Sequence, residues 1–488
     1  MSEAPIDKSI DSTSKPRRQM QQGTNALLKS KEFSTVRTLL FEWIKTNIVM
    51  FVNAGSLIGT TVVTSVLGFA YWWVAARWFP PEAVGLGAAT ISAMMLLGMV
   101  CILGLGTLLI GELPRRPGEE GPLISAALIV VGGVGGCAGV VFALVAPFVA
   151  ADFQVLRASV EDILLFAVGV SLFAITLVLD QALIGLLRSE LQLWRNTFFA
   201  VAKLAALFVV SLWLSHRVGL TIYTTWLIGN AFSLAVLTGY VILKKGWSRR
   251  TYLPQWGLLR MLGFAALQHH IFNLLYQLPS LVLPVLVTIL LSPTMNAWFY
   301  VSYMLVNFTF SVSFALTTTL YAMCSAHPAI LARKARLTLG LGAVAAILAN
   351  FVFQFATSQV LGVFGHIYAE QATWSLRILA LGAFPFIIRS HYVAIYRIQG
   401  RVLHALLPVS AGMLIELGAA ALGARLGGLS GLSLGWIAAL CVEAVYMSRT
   451  VYRVAFPASI VVWFWCQVKK LVPTSLIDKT SMREREGL

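Results

Sequence analysis

Long apolar stretches, each cut by a short polar or proline-containing break, follow one another along most of the chain. A helix needs about 20 predominantly apolar residues to cross the hydrocarbon core of a bilayer. Stretches of that kind fall at about 47–78, 82–111, 123–148, 163–185, 197–215, 222–243, 261–291, 296–323, 338–362, 374–396, 405–424 and 432–455. The pattern predicts an all-α fold, a polytopic membrane bundle of about 12 transmembrane helices. Two apolar pieces fit less well. "FSTVRTLLFEWIK" (Phe33–Lys45) puts Phe33, Val36, Leu40, Trp43 and Ile44 on one helical face, which suits a helix in the membrane interface or one packed on the end of the bundle. "AFPASIVVWFWCQV" (Ala455–Val468) is short for a span and reads as interfacial, with Trp463 and Trp465 at headgroup level.

Polar residues inside the spans are the next signal. On the first, Asn53, Ser56, Thr60 and Thr64 fall within about 80° at 100° per residue. On the seventh, His269, His270, Asn273, Tyr276, Gln277 and Ser280 share a broad face, and Pro279 and Pro284 interrupt the backbone ladder. Small and hydroxyl residues also serve close helix packing, which accounts for the first face as well as a cavity does. A helix carrying His, Asn and Gln together is better explained by a water-filled cavity. Six charged residues lie within spans: Asp180, Lys203, Arg377, Arg389, Glu416 and Glu443. An arginine at the centre of a spanning helix costs about 2.5–3.5 kcal/mol even on the lenient insertion scale, so intramembrane charges face cavities or partners. Asp180 and Lys203, on consecutive antiparallel helices, are expected to form an ion pair. Arg389 either anchors a ligand or neutralises Glu416. Glu416 and Glu443 are nearly central, too short to snorkel, and are candidates for ion coupling or for pairing with Arg389.

Composition agrees with this. Hydrophobic residues make up 58% and charged residues 11% of 488, whereas a soluble domain carries about 25% charged. The net charge of +16 does not point to nucleic acid, because the charges sit in short loops between apolar spans. They do give an orientation. With both termini in the cytoplasm, Arg77, Arg157, Arg217 and Arg425 fall outside; Lys203, Arg377 and Arg389 lie within spans; and the remaining Lys and Arg fall inside, the richest internal loop being "KKGWSRRTYLPQWGLLR" (Lys244–Arg260). Five cysteines without close spacing argue against a disulfide framework, and no CxxC, HExxH or GxxxxGK[ST] occurs, so no metal, cofactor or intrinsic ATPase is expected. The basic start of the chain lacks the apolar core of a signal peptide.

The basic loop divides the chain: a cytoplasmic tail with its amphipathic helix (1–46), an N-lobe of helices 1–6 (47–243), the inter-lobe loop (244–260), a C-lobe of helices 7–12 (261–455), and an interfacial segment with a cytoplasmic tail (456–488). The lobes repeat weakly. "DQALIGLLRSELQLW" at Asp180 aligns with "RSHYVAIYRIQGRVL" at Arg389, pairing Arg188 with Arg397, and "PEAVGLG" at Pro81 aligns with "PTMNAWF" at Pro293, at offsets of 209 and 212. Six spans per lobe is even, so the pseudo-two-fold repeat is parallel, and a substrate site is expected between the lobes.

"NAGSLIGTTVVTSVLGFAYWWVAARWFPPEAVGLGAATIS" (Asn53–Ser92), with its Arg-x-Phe-Pro-Pro-Glu-Ala-Val-Gly turn, and Gly-Leu-Gly-Thr at Gly104–Thr107 resemble bacterial polysaccharide flippases of the multidrug/oligosaccharidyl-lipid/polysaccharide exporter superfamily. "NAWFYVSYMLVNFTFSVSFALTTTLYA" (Asn296–Ala322) is similar to the eighth helix of actinobacterial-type lipopolysaccharide biosynthesis proteins. The resemblance spans about residues 45–455. It implies two lobes opening alternately around a cavity lined by the first, second, seventh and eighth helices. It also implies a polyprenyl-diphosphate-linked oligosaccharide as substrate, flipped outward across the bacterial cytoplasmic membrane beside the glycosyltransferases or polymerase of the same pathway. On this reading Arg389, Asn53, Thr60, Asn273, Gln277, His270 and Arg377 are substrate-binding candidates, Arg389 offering a diphosphate two parallel hydrogen bonds. The rival reading is an ion-coupled small-molecule antiporter of the same superfamily, using Asp180, Glu416 or Glu443. An enzyme is disfavoured, because every expected outer loop is short and poor in carboxylates.

Overall fold

The computed structural model describes residue 56 and residues 59–214, 220–245, 254, 256–326 and 328–457. Asn53, the N-terminal amphipathic helix, most of the inter-lobe loop and the 458–488 segment lie outside the described residues. Within them the chain is helical, with no strand: α1 (Gly59–Trp78), α2 (Pro81–Cys101), α3 (Leu105–Glu112), α4 (Glu120–Val149), α5 (Val160–Gly185), α6 (Ser189–Leu214), α7 (Thr221–Lys245), α8 (Trp256–Leu290), α9 (Pro293–Ala326), α10 (Leu331–Phe355), α11 (Thr357–Gly362), α12 (His366–Gln371), α13 (Thr373–Leu381), α14 (Ala383–Ile398) and α15 (Val402–Ala455).

Eleven of the described segments are long and apolar enough to cross a membrane. The last, α15, would run about 80 Å at 1.5 Å per residue, far more than the roughly 30 Å hydrocarbon core. It is two spans. The backbone leaves the helix at Gly427 and Gly428, the latter at φ 58°, a left-handed position that glycine tolerates. The arms then return so close that a Cβ on Gly423 would collide with the Gly431 carbonyl oxygen. Counting the arms separately gives the expected twelve.

Two expected spans are broken. The 82–111 helix divides at Leu103 (φ 50°) and Gly104 (φ 77°) into α2 and α3. The 374–396 helix divides at Gly382 into α13 and α14, where Pro385 cannot donate to the carbonyl of Leu381. Both breaks are hidden in sequence because apolar character continues through them.

Packing inside the bundle uses small residues. The inward face of α4 is mostly small, with Ala126, Ala127, Gly132, Gly135, Gly139, Ala143 and Ala146 beside the larger Leu123 and Val131, while Ile129, Val141 and Val145 point outward, as expected where lipid is as apolar as the helix and close backbone approach supplies the attraction. The lobes, α1–α7 and α8–α15, meet along α2, α8 and α9. At one end of that seam the backbones touch, and a Cβ on Gly85 would collide with the Pro293 carbonyl oxygen. Asn296 donates from Nδ2 to the Gly85 carbonyl (2.8 Å). At the same end, Trp73 Nε1 and Arg77 Nε each donate to the Val363 carbonyl (2.9 Å).

Candidate functional site: two buried charge centres and a cavity

The C-lobe centre is built on α14, which buries Arg389, Ser390 and His391 in succession. Arg389 Nη1 lies 2.7 Å from Glu416 Oε1, and its Nε 3.5 Å from Glu443 Oε2. The two glutamates come from the two arms of α15, so the Gly427–Gly428 turn assembles the centre. Trp436, on the second arm, donates from Nε1 to Glu416 Oε2 (2.6 Å). Arg389 Nη2 donates to the Tyr276 carbonyl (3.3 Å) and its guanidinium lies 4.9 Å from the centroid of the Tyr276 ring. Of the two alternatives open for Arg389, the structure shows the contact with Glu416, with Glu443 added.

This centre forms one wall of a cavity of about 260 Å³ that lies within the C-lobe, between α8, α9, α14 and α15, rather than between the lobes as expected; Gln277, Ser280, Tyr303, Asn307 and Ser311 face Arg389, Glu416 and Trp436 there, and no described residue of the first or second helix lines it. Two carboxyl groups stand against one guanidinium, and among the described residues neither oxygen of Glu443 has a hydrogen-bond donor. The set therefore has capacity for one proton or one monovalent cation beyond the arginine.

The N-lobe centre corrects the expected Asp180–Lys203 pair. Asp180 on α5 is held by Arg195 on α6 through two parallel bonds, Nε to Oδ1 (2.7 Å) and Nη2 to Oδ2 (2.6 Å), with Asn196 Nδ2 donating to Oδ2 at 3.0 Å. The reason is where α6 begins. A left-handed residue at Leu187 (φ 56°) turns the chain tightly, and the helix starts at Ser189, so Arg195 is carried inward rather than left in a loop. Its planar fork fits a carboxylate in a way an ammonium cannot. Lys203 lies eight residues further along, roughly 12 Å by helical rise. Its Nζ sits instead among three aromatic rings: Trp226 at 3.9 Å, Phe199 at 4.7 Å and Tyr71 at 5.0 Å.

The other candidates scatter. Gln277 faces the cavity with Arg389. Thr60 bonds to the Ser56 carbonyl of its own helix (2.8 Å). His270 is buried against the Met99–Val100 backbone of α2. Arg377 is occupied elsewhere, donating to Thr357 Oγ1 (3.2 Å) and lying over the Trp374 ring. Asn273 accepts from Arg397 Nη2 (2.6 Å). Sequence reasoning missed Arg195, Arg397 and Trp436. The internal repeat held a signal for Arg195, since it set Asp180 against Arg389 and so implied a partner on the following helix. Among the described residues no group of three or more His, Cys, Asp or Glu could hold a metal ion.

A two-lobed, twelve-span bundle with charge centres buried in each lobe, one of them beside a cavity lined by aromatic and polar side chains, defines a multi-pass membrane protein. Residues 51–327 match the family described as polysaccharide biosynthesis protein, and the chain belongs to that family. No curated protein matches the sequence. Among solved structures, the chain is similar to an inward-facing multidrug resistance MATE family transporter of the MOP superfamily (TM-score 0.63, 11% identity, covering 83% of this chain and 99% of that one). It is also similar to the lipid II flippase MurJ in an inward closed conformation (TM-score 0.62, 11% identity, 83% and 91%), and to the MATE multidrug transporter DinF-BH (TM-score 0.60, 14% identity, 84% and 96%). At these identities the likeness is one of fold.

Proposed function

We propose that the protein is a flippase that moves a polyprenyl-diphosphate-linked oligosaccharide from the cytoplasmic to the outer leaflet of a bacterial cytoplasmic membrane, with both termini cytoplasmic. The observation that carries this reading is the cavity beside Arg389: amide and hydroxyl groups of Gln277, Asn307, Ser280 and Ser311 gathered at membrane depth inside an otherwise apolar bundle. Such a lining suits sugar hydroxyls and shields them from lipid while a prenyl chain stays outside. Family membership supports it, as does the fold shared with a lipid II flippase.

Movement follows from the seam. The Gly85–Asn296 contact and the Trp73 and Arg77 bonds to Val363 close one end, the end that the charge bias assigns to the outside. Breaking these few bonds while the opposite ends draw together exposes the cavity to the other face. Arg389 holds the cavity wall, and its remaining hydrogen-bonding capacity meets the headgroup, with Gln277 beside it. No covalent chemistry is required, and the enzymes of the pathway, glycosyltransferases or a polymerase, act before and after it.

The test is depletion of the protein in its host, followed by sidedness analysis of lipid-linked sugars. Accumulation on the inner leaflet is the expected result. Unchanged distribution between leaflets sinks the proposal.

The surplus carboxyl at Glu443 favours a second reading, an ion-coupled small-molecule antiporter. Efflux of a cationic dye from vesicles, dependent on an imposed proton or sodium gradient and insensitive to lipid-linked sugar, would support that reading instead.

A further inference from the structure

The charges around α14 separate two arginines that look alike in sequence. Arg389 faces two carboxylates. Arg397, about two turns further and roughly 12 Å away by helical rise, has no carboxylate within 4.0 Å among the described residues. Its Nη2 donates to Asn273 Oδ1 (2.6 Å), and its guanidinium lies 5.5 Å from the centroid of the Phe272 ring. Both partners are neutral and both lie on α8. A cation in the last turn of a helix is favoured by the helix dipole and can reach outward for headgroups, but this guanidinium turns inward across the lobe.

It turns toward a small recess of about 50 Å³, where Thr317, Thr318 and Tyr321 of α9 and Ser390 of α14 stand around it. The recess shares Tyr276 and Phe314 with the larger cavity, so the two are successive parts of one wall. Guanidinium carries five N–H donors in a planar fork that matches phosphate oxygens, and Asn273 takes one of them. A half-buried cation that no carboxylate among the described residues compensates is costly until an anion arrives. A sugar presents none, whereas a phosphate ester does.

We infer that Arg397, not Arg389, is the residue that binds the phosphate of an anionic lipid, and that Asn273 is its positioning residue. Arg389 is neutralised in place, and the cavity it lines receives the uncharged sugars. The phosphate can come from a polyprenyl diphosphate or from an ordinary phospholipid. This inference rests on the flippase reading, and it divides that reading's single anion site into two positions.

The experiment is a binding titration on the purified full chain in detergent, read by intrinsic tryptophan fluorescence. The probes are geranylgeranyl diphosphate, geranylgeraniol and phosphatidylglycerol. The wild type should bind the diphosphate at least about tenfold tighter than the alcohol, the scale expected of charge-assisted bonds. Arg397→Gln should abolish that difference, Arg397→Lys should retain part of it, and Asn273→Ala should weaken diphosphate binding a few-fold while leaving the alcohol unaffected. If Arg397→Gln does not fold, the lysine and Asn273 variants carry the test. Equal, Arg397-dependent binding of phosphatidylglycerol would keep the phosphate site but assign it to bulk lipid. Wild-type diphosphate affinity in both Arg397 variants would overturn the inference and leave the flippase reading standing. A wild type that does not discriminate diphosphate from alcohol would overturn both.

Discussion

The two lobes place a buried acid–base centre on corresponding helices, with the signs exchanged. In the N-lobe an acid on α5 meets a base on α6, Asp180 with Arg195. In the C-lobe a base on α14 meets an acid on the first arm of α15, Arg389 with Glu416. The N-lobe pair is balanced, one carboxylate to one guanidinium, with Asn196 completing the acid. The C-lobe centre has a second carboxyl, Glu443, and lines a cavity. A balanced, fully hydrogen-bonded pair locks two helices together and has no capacity left to exchange. An unbalanced set beside a cavity can take up or release something. The repeat thus points to a shared structural device that is balanced in one lobe and carries a surplus carboxyl in the other.

The sharpest way to break this comparison is to unbalance the N-lobe. Asp180→Ala leaves Arg195 buried without its carboxylate, and removing one partner of a buried pair costs about 3–5 kcal/mol. Expression and thermal stability in detergent should collapse. Asp180→Leu with Arg195→Met should restore most of the stability, since apolar replacements of both partners are commonly neutral or better. A single Asp180→Ala variant as stable as the wild type would show that the pair does not hold the lobe together.

The fate of this pair also marks what was legible in the sequence. Twelve spans could be read because hydropathy needs no knowledge of partners. The six in-span charges stood out for the same reason, and Arg389 with Glu416 was open to recognition because both lay deep within apolar runs. Arg195 was not, because its helix begins about eight residues before the apolar run, at the Leu187 turn. Placing the span at 197 put the arginine in a loop and left Lys203 as the nearest cation. The breaks at Gly104 and Gly382 and the cavity residues Tyr303, Asn307 and Trp436 were hidden for another reason. Aromatic and small residues occupy lipid-facing, packed and cavity-lining positions alike, and only the fold tells them apart.

An intermediate effect is expected in the C-lobe. Arg389→Ala leaves two carboxyls without a counter-charge and should lower stability, though by less than Asp180→Ala, because a carboxyl in lipid can become neutral by holding a proton whereas Arg195 cannot discharge. Arg389→Ala with Glu416→Gln should recover part of the loss. Glu443→Gln should leave the melting temperature near that of the wild type, since among the described residues Glu443 is held only by the 3.5 Å Arg389 contact and stands beside the like-charged Glu416, which an amide would relieve. Transport by Glu443→Gln, measured in vesicles with and without a cation gradient, then separates the two functional readings: loss of gradient dependence assigns ion coupling to the surplus carboxyl, and unchanged transport assigns it a packing role.

The smallest effect is expected at Lys203, the buried cation that belongs to neither balance. Its Nζ is enclosed by Trp226, Phe199 and Tyr71, and among the described residues no carboxylate lies within 4.0 Å of it. Attraction to aromatic faces is worth about 2 kcal/mol when desolvated, and burial of an ammonium opposes it by several. Lys203→Met keeps the length and the contact with the rings while removing the charge, so stability should stay within about 1 kcal/mol or rise. Thermal melting of the purified variant beside Asp180→Ala makes the comparison direct. If Lys203→Met is destabilised as severely as Asp180→Ala, Lys203 has an anionic partner in the working protein. The N-lobe would then hold an unbalanced centre of its own, and the distinction between the lobes would fall.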